Sequence, residues 1–67
     1  MRGLRWAADG PAWRLYVHGQ FTAAARVEIR SGRYHWELLD GGGEYGASPS
    51  LEAAQHAAEQ ALTQVWG

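Results

Sequence analysis

Residues 47–66, ASPSLEAAQHAAEQALTQVW, form the one long stretch of the chain with a helical period. At about 100° per residue, Leu51, Ala54, Ala58, Ala61, Leu62 and Val65 fall in a stripe roughly 100° wide, as in a helix lying on a core. Glu52, His56, Glu59, Gln60, Thr63 and Gln64 take the opposite face. Ser48 is a natural N-cap with Pro49 at the first helical position, and Ser50 is a rival cap close behind it. Half of the apolar stripe is alanine. A helix with so little bulk needs large side chains facing it, and the rest of the chain offers Trp6, Trp13, Trp36, Tyr34 and Val27.

Upstream of the helix the period changes to two. Leu4, Trp6 and Ala8 alternate with Arg5 and Ala7, and Asp9-Gly10-Pro11 reads as a turn. Trp13, Leu15 and Val17 alternate with Arg14, Tyr16 and His18, followed by a turn at His18-Gly19-Gln20. A third strand is expected over Phe21–Arg30, with Val27 and Ile29 facing one way and Arg26, Glu28 and Arg30 the other. Ala23-Ala24-Ala25 has weak strand preference and obscures the phase, which leaves room for a bulge. Ser31-Gly32 is a tight hairpin turn into Arg33–Leu39, where Tyr34, Trp36 and Leu38 oppose His35, Glu37 and Leu39. Short connections favour an antiparallel meander. The expected fold class is therefore α+β: three to four antiparallel strands, then one C-terminal helix packed on one face, two layers in a single domain of residues 1–67.

Composition narrows the function classes. Sixty-seven residues place the chain near the lower limit for a core without disulfides or metal. With no cysteine there is no disulfide, thiolate zinc site or thiol nucleophile. MRGLRWAAD lacks an apolar signal segment and no run approaches a membrane span, so a soluble cytoplasmic protein with no membrane partner is expected. The net charge of −1 conceals two opposed halves. Residues 1–33 hold all six arginines against Asp9 and Glu28, a net +4; residues 34–67 hold Glu37, Asp40, Glu44, Glu52 and Glu59, a net −5. A basic half can mark a nucleic-acid face or a polar partner surface, although abundant Arg, Ala and Gly also follow from a GC-rich genome.

Three motifs carry a chemical alternative. Gly41, Gly43 and Gly46 spell G-x-G-x-x-G between a strand and a helix, the context of a dinucleotide fingerprint. Asp40 and Glu44 would repel a pyrophosphate from within that loop, and the preceding strand belongs to a meander rather than a parallel βαβ unit. A flexible strand-to-helix connection is the expectation there. His18, His35 and His56 lack metal-ligand spacing, although His18 and His35 share the outer sheet face, where a surface pair is conceivable. Ser31, Ser48 and Ser50 lie in turns with no base placed beside them. No catalytic, cofactor-binding or metal-binding residue, and no small-molecule substrate, is expected.

The outer face of the sheet is the surface with a pattern. It should carry Arg5, Arg14, Tyr16, His18, Arg26, Glu28, Arg30, His35 and Glu37. Arginine interleaved with aromatic and histidine side chains is what a sheet that reads a nucleic-acid groove requires. The same alternation of Arg and Glu also serves simply to solubilise a sheet.

Short antiparallel strands followed by the capped helix SPSLEAAQHAAEQAL resemble, over about residues 12–66, the AP2-like arm-type DNA-binding domains of tyrosine recombinases. The resemblance is architectural. It implies that Arg14, Arg26 and Arg30 would stand where that family's sheet meets the major groove. The chain departs from the family in having no lysine and an acidic second half. In size and style it is also similar to stand-alone proteins encoded by phages and mobile elements of GC-rich bacteria, many of which bind a host or viral protein.

Two expectations follow. The first is a small non-catalytic interaction module, an accessory or regulatory protein that binds another protein or a second copy of itself, since four tryptophans exceed what one alanine-faced helix covers. The alternative is DNA binding through the outer face. For either, the candidate surface is Arg5, Arg14, Tyr16, His18, Arg26, Arg30 and His35.

Overall fold

The computed structural model describes residues 3–39 and 43–66. Five strands, β1 (Leu4–Asp9), β2 (Ala12–Val17), β3 (Ala25–Arg30), β4 (Arg33–Leu38) and β5 (Tyr45–Ser48), precede one helix, α1 (Leu51–Trp66). They form one antiparallel sheet in sequential order, β1-β2-β3-β4-β5. The α+β meander with a C-terminal helix stands, with five strands where three to four are expected from the sequence.

The hairpins follow from local chemistry. Between Arg30 and Arg33, Ser31 and Gly32 both have positive φ, 52° and 76°, as a type I′ turn requires. At Gly10-Pro11 only the glycine is positive, with φ 62°; proline cannot follow it there, and a type II′ turn needs only the first position. Both turns join the strands with two residues and so set the pairing, Asp9 with Ala12 and Arg30 with Arg33.

β3 starts four residues later than its sequence pattern suggests. Ala24 N–H donates to Leu15 O at 2.8 Å, while Ala25 is the residue in register with Leu15. Two successive residues thus oppose one, the arrangement of a β-bulge. Ala24 and Ala25 are both buried, which explains why small side chains occupy the bulge. Phe21 belongs to the β2–β3 loop rather than to a strand.

The register places Trp6, Leu15, Ala25 and Leu38 in one row, and Trp13, Val27, Trp36 and Gly46 in the next, on the face that meets the helix. Leu15, Ala24, Ala25, Leu38, Ala58, Ala61 and Leu62 form the core, with Leu4, Trp6, Val17 and Trp36 packed around it. The helix lies over β3, β4 and β5. Ala54, Ala58, Ala61 and Leu62 are buried as the stripe requires, whereas Val65 is exposed because the last turn outruns the sheet.

The strand-to-helix segment needs the largest correction. Tyr45–Ser48 is the fifth strand, not part of a flexible connection, and the helix begins at Leu51 rather than in the ASPS segment. Ser50 is the N-cap: its Oγ accepts from Ala53 N–H at 3.2 Å and its carbonyl accepts from Ala54 N–H at 3.1 Å. Ser48 is instead a buried residue of β5 opposite Tyr34.

Candidate functional site

Gly46 disposes of part of the glycine motif. It lies opposite Trp36, and a Cβ there would stand 2.8 Å from the indole Nε1 and 2.9 Å from Cε2 and Cζ2. Glycine is required because a tryptophan ring covers the strand, a packing role rather than a phosphate-binding one. Asp40 and Gly41 lie outside the described residues.

The paired strands put the candidate arginines on the outer face, as the alternation predicts. One outer row runs Ala7, Arg14, Arg26, Glu37, Tyr45; the next runs Asp9, Ala12, Glu28, His35, Ala47. Arg5 pairs with Tyr16 beyond the first row, and Arg30 with Arg33 beyond the second. The arginines are largely engaged with acids. Arg14 Nε is 3.0 Å from Asp9 Oδ2, and Arg26 Nη2 is 3.1 Å from Glu37 Oε1 and 3.6 Å from Glu28 Oε1. Arg30 Nε is 3.5 Å from the same Glu28 oxygen. The Arg5 guanidinium stacks on Tyr16, its Cζ 5.0 Å from the ring centroid. The pairs are solvent-accessible and contribute little to stability. Their electrostatic effect is local neutralisation of the three arginines that a DNA-binding sheet would present.

His18 and His35 do not form a surface pair. His18 sits past the end of β2, where its N–H donates to Gly3 O, whereas His35 shares a row with Ala12. Six residues along β2 separate those positions, about 20 Å at 3.3–3.4 Å per residue. Among the described residues no group of three His, Asp or Glu side chains is placed to hold a metal ion. Two open depressions lie on the candidate surface, one lined by Arg26, Glu28, Arg30, His35, Glu37 and Tyr45 and holding about 140 Å³, the other at Arg5, Tyr16 and His18 and holding about 310 Å³, at or below the low end of the 300–1,000 Å³ usual for a small-molecule site. No described helix is long and apolar enough to cross a membrane.

The structure also assembles a surface that the sequence reading does not single out. At the end of the sheet where β2 leads into β3, Phe21 is 98% exposed and Leu39 50% exposed. Leu39 N–H donates to Ala24 O, three residues beyond Phe21, which ties the two segments together. Val65, one turn past the core residue Leu62, lies toward the same end and is also exposed. The opposite end carries the two polar hairpin turns and the helix cap. The signal available in sequence is Leu39 itself, an apolar residue just after β4 in its outward phase.

No protein-family model matches this chain, and neither a curated protein nor a solved structure is found to be similar to it.

Proposed function

We propose that this domain is a non-catalytic interaction module that acts by binding another protein, through the apolar end built from Phe21, Leu39 and Val65. The observation that carries this reading is Phe21, 98% exposed in a domain whose other candidate face has Arg14, Arg26 and Arg30 matched with carboxylates. Exposing a phenylalanine gives the fold nothing, whereas an aromatic hot spot buried at the centre of an interface contributes about 2 kcal/mol or more to binding. A role as an accessory or regulatory protein fits a domain that acts by occupying a surface.

The DNA-binding alternative has less support. A groove-reading sheet needs arginines free to meet phosphates and base edges. Here Arg14, Arg26 and Arg30 each approach an acid, and Glu28 and Glu37 would face the phosphate backbone.

The test is a side-by-side affinity capture with the parent and Phe21→Asp. Because the side chain is solvated, the variant should keep the parent's melting temperature within a few degrees. A protein retained by the parent and lost with the variant is the expected result. An identical set retained by both would count against the apolar end as the binding surface.

A further inference from the structure

β1 is an edge strand, and its free edge has an unusual property: it complements itself. His18 N–H donates to Gly3 O across the β1–β2 ladder, so position 3 is a hydrogen-bonded pair with position 18. Hydrogen-bonded pairs alternate in an antiparallel ladder. Arg5, Ala7 and Asp9 therefore direct their amide groups toward β2, and Leu4, Trp6 and Ala8 direct theirs toward the open side. No described strand covers that side. It is six residues long, without the proline or lysine that commonly blunts an edge.

We infer that a second copy of this chain docks there, the two β1 strands pairing antiparallel about a two-fold axis at Ala7 to make one continuous ten-stranded sheet. In this register Trp6 faces Ala8 of the other copy twice, indole against methyl, and these are the pairs whose amides are available. Arg5 faces Asp9 of the other copy twice, on the outer side, in the closely spaced non-hydrogen-bonded positions. Asp9 engages Arg14 through Oδ2, which leaves Oδ1 for the incoming guanidinium, and Arg5 exchanges its stacking on Tyr16 for that ion pair. Sliding the pairing by two residues one way gives Trp6 opposite Trp6 and leaves Arg5 against Ala7. Sliding it further the same way sets Arg5 against Arg5. A shift by one residue turns the apolar face outward. Only the Ala7-centred register satisfies charge, volume and amide direction together, and it has the isologous symmetry of a homodimer. β5, the other edge, has four residues, Tyr45-Gly46-Ala47-Ser48, with no charge to complement.

The chain has no cysteine, so single cysteines report the register without interference. Two Ala7 positions in a non-hydrogen-bonded pair lie about 4.5 Å apart between Cα atoms, inside the 4.4–6.8 Å range of disulfides. The two Arg5 positions lie about 13–14 Å apart, four residues along the strand. Under mild oxidation Ala7→Cys should form a linked dimer at least about tenfold faster than Arg5→Cys. Sedimentation should show the parent as a dimer at micromolar concentration. Ala8→Pro removes an outward N–H without touching the β1–β2 ladder, so it should keep the fold and weaken dimerisation at least about tenfold. Arg5→Asp and Asp9→Arg should each weaken it, and the double exchange should restore it. A monomeric parent, or equal cross-linking at positions 5 and 7, would overturn the proposal; either result leaves the Phe21 surface standing.

Discussion

Two indoles on the same face of the sheet are held in different ways. Trp36 lies in the half covered by the helix, directly over Gly46, where no room remains for a methyl group. Trp6 lies toward the uncovered flank and reaches the helix through one polar contact, its Nε1–H donating to Glu59 Oε2 at 2.6 Å. Trp36 is held by close fit over Gly46, whereas Trp6 packs at the margin of the core and adds a charge-assisted bond at a half-exposed site. Around Trp36 the alanines of α1 permit close approach; around Trp6 the strand extends past the helix and its edge remains open. The alanine stripe covers only the second half of the sheet, and the flank it leaves open is where the molecule has surface to offer.

The largest effect should come from the centre of the covered half. Ala58 is fully buried, so Ala58→Glu places an unpaired carboxylate against the sheet. A domain of this size has only about 3–10 kcal/mol of stability at the usual per-residue value, and such a substitution removes several. The variant should show no cooperative melt by circular dichroism.

Gly46→Ala should cost about 1–3 kcal/mol through overpacking against the Trp36 ring, read as a lower urea midpoint with unchanged slope. In a Trp36→Ala background the same change should cost much less, since the nearest atoms to the added methyl all belong to that ring. An equal cost in both backgrounds would show that the two regions are not held differently.

Smaller losses are expected on the open flank. Trp6→Phe removes the donor and Glu59→Ala the acceptor, and each should cost about 1 kcal/mol by denaturant titration, below the full value of a buried charged hydrogen bond because the site is half-exposed. The double variant should lose little more than either single one. Glu59 falls on the polar face of the helical period, which alone would predict no effect.

The parts of this fold that were legible in sequence are those with a half-buried period. β1, β2 and β4 alternate cleanly, so the faces of Arg5, Arg14, Tyr16, His35 and Glu37 could be read directly. β5 has no such period, because its inward positions are Gly46, emptied for Trp36, and Ser48, a small polar residue buried opposite Tyr34. The Arg26–Glu37 pair was within reach: a two-residue turn at Ser31-Gly32 places them opposite each other. The Trp6–Glu59 bond was not, since it depends on where the helix crosses the sheet. Phe21 as a solvated side chain was hidden by the bulge at Ala24-Ala25, which delays the start of β3 until four residues after it.

Arg14, Arg26 and Arg30 are occupied by the protein's own carboxylates, and the proposed binding surface is the apolar end instead. Titrating duplex DNA into the protein at two salt concentrations, with the parent and Arg26→Gln, tests this most directly. The predicted result is association no tighter than the roughly 10⁻⁴–10⁻⁶ M of non-specific binding, with parent and variant nearly alike. Sub-micromolar affinity with a log–log salt slope near −2.7, the value for about three phosphate contacts, reduced by about one in Arg26→Gln, would contradict it.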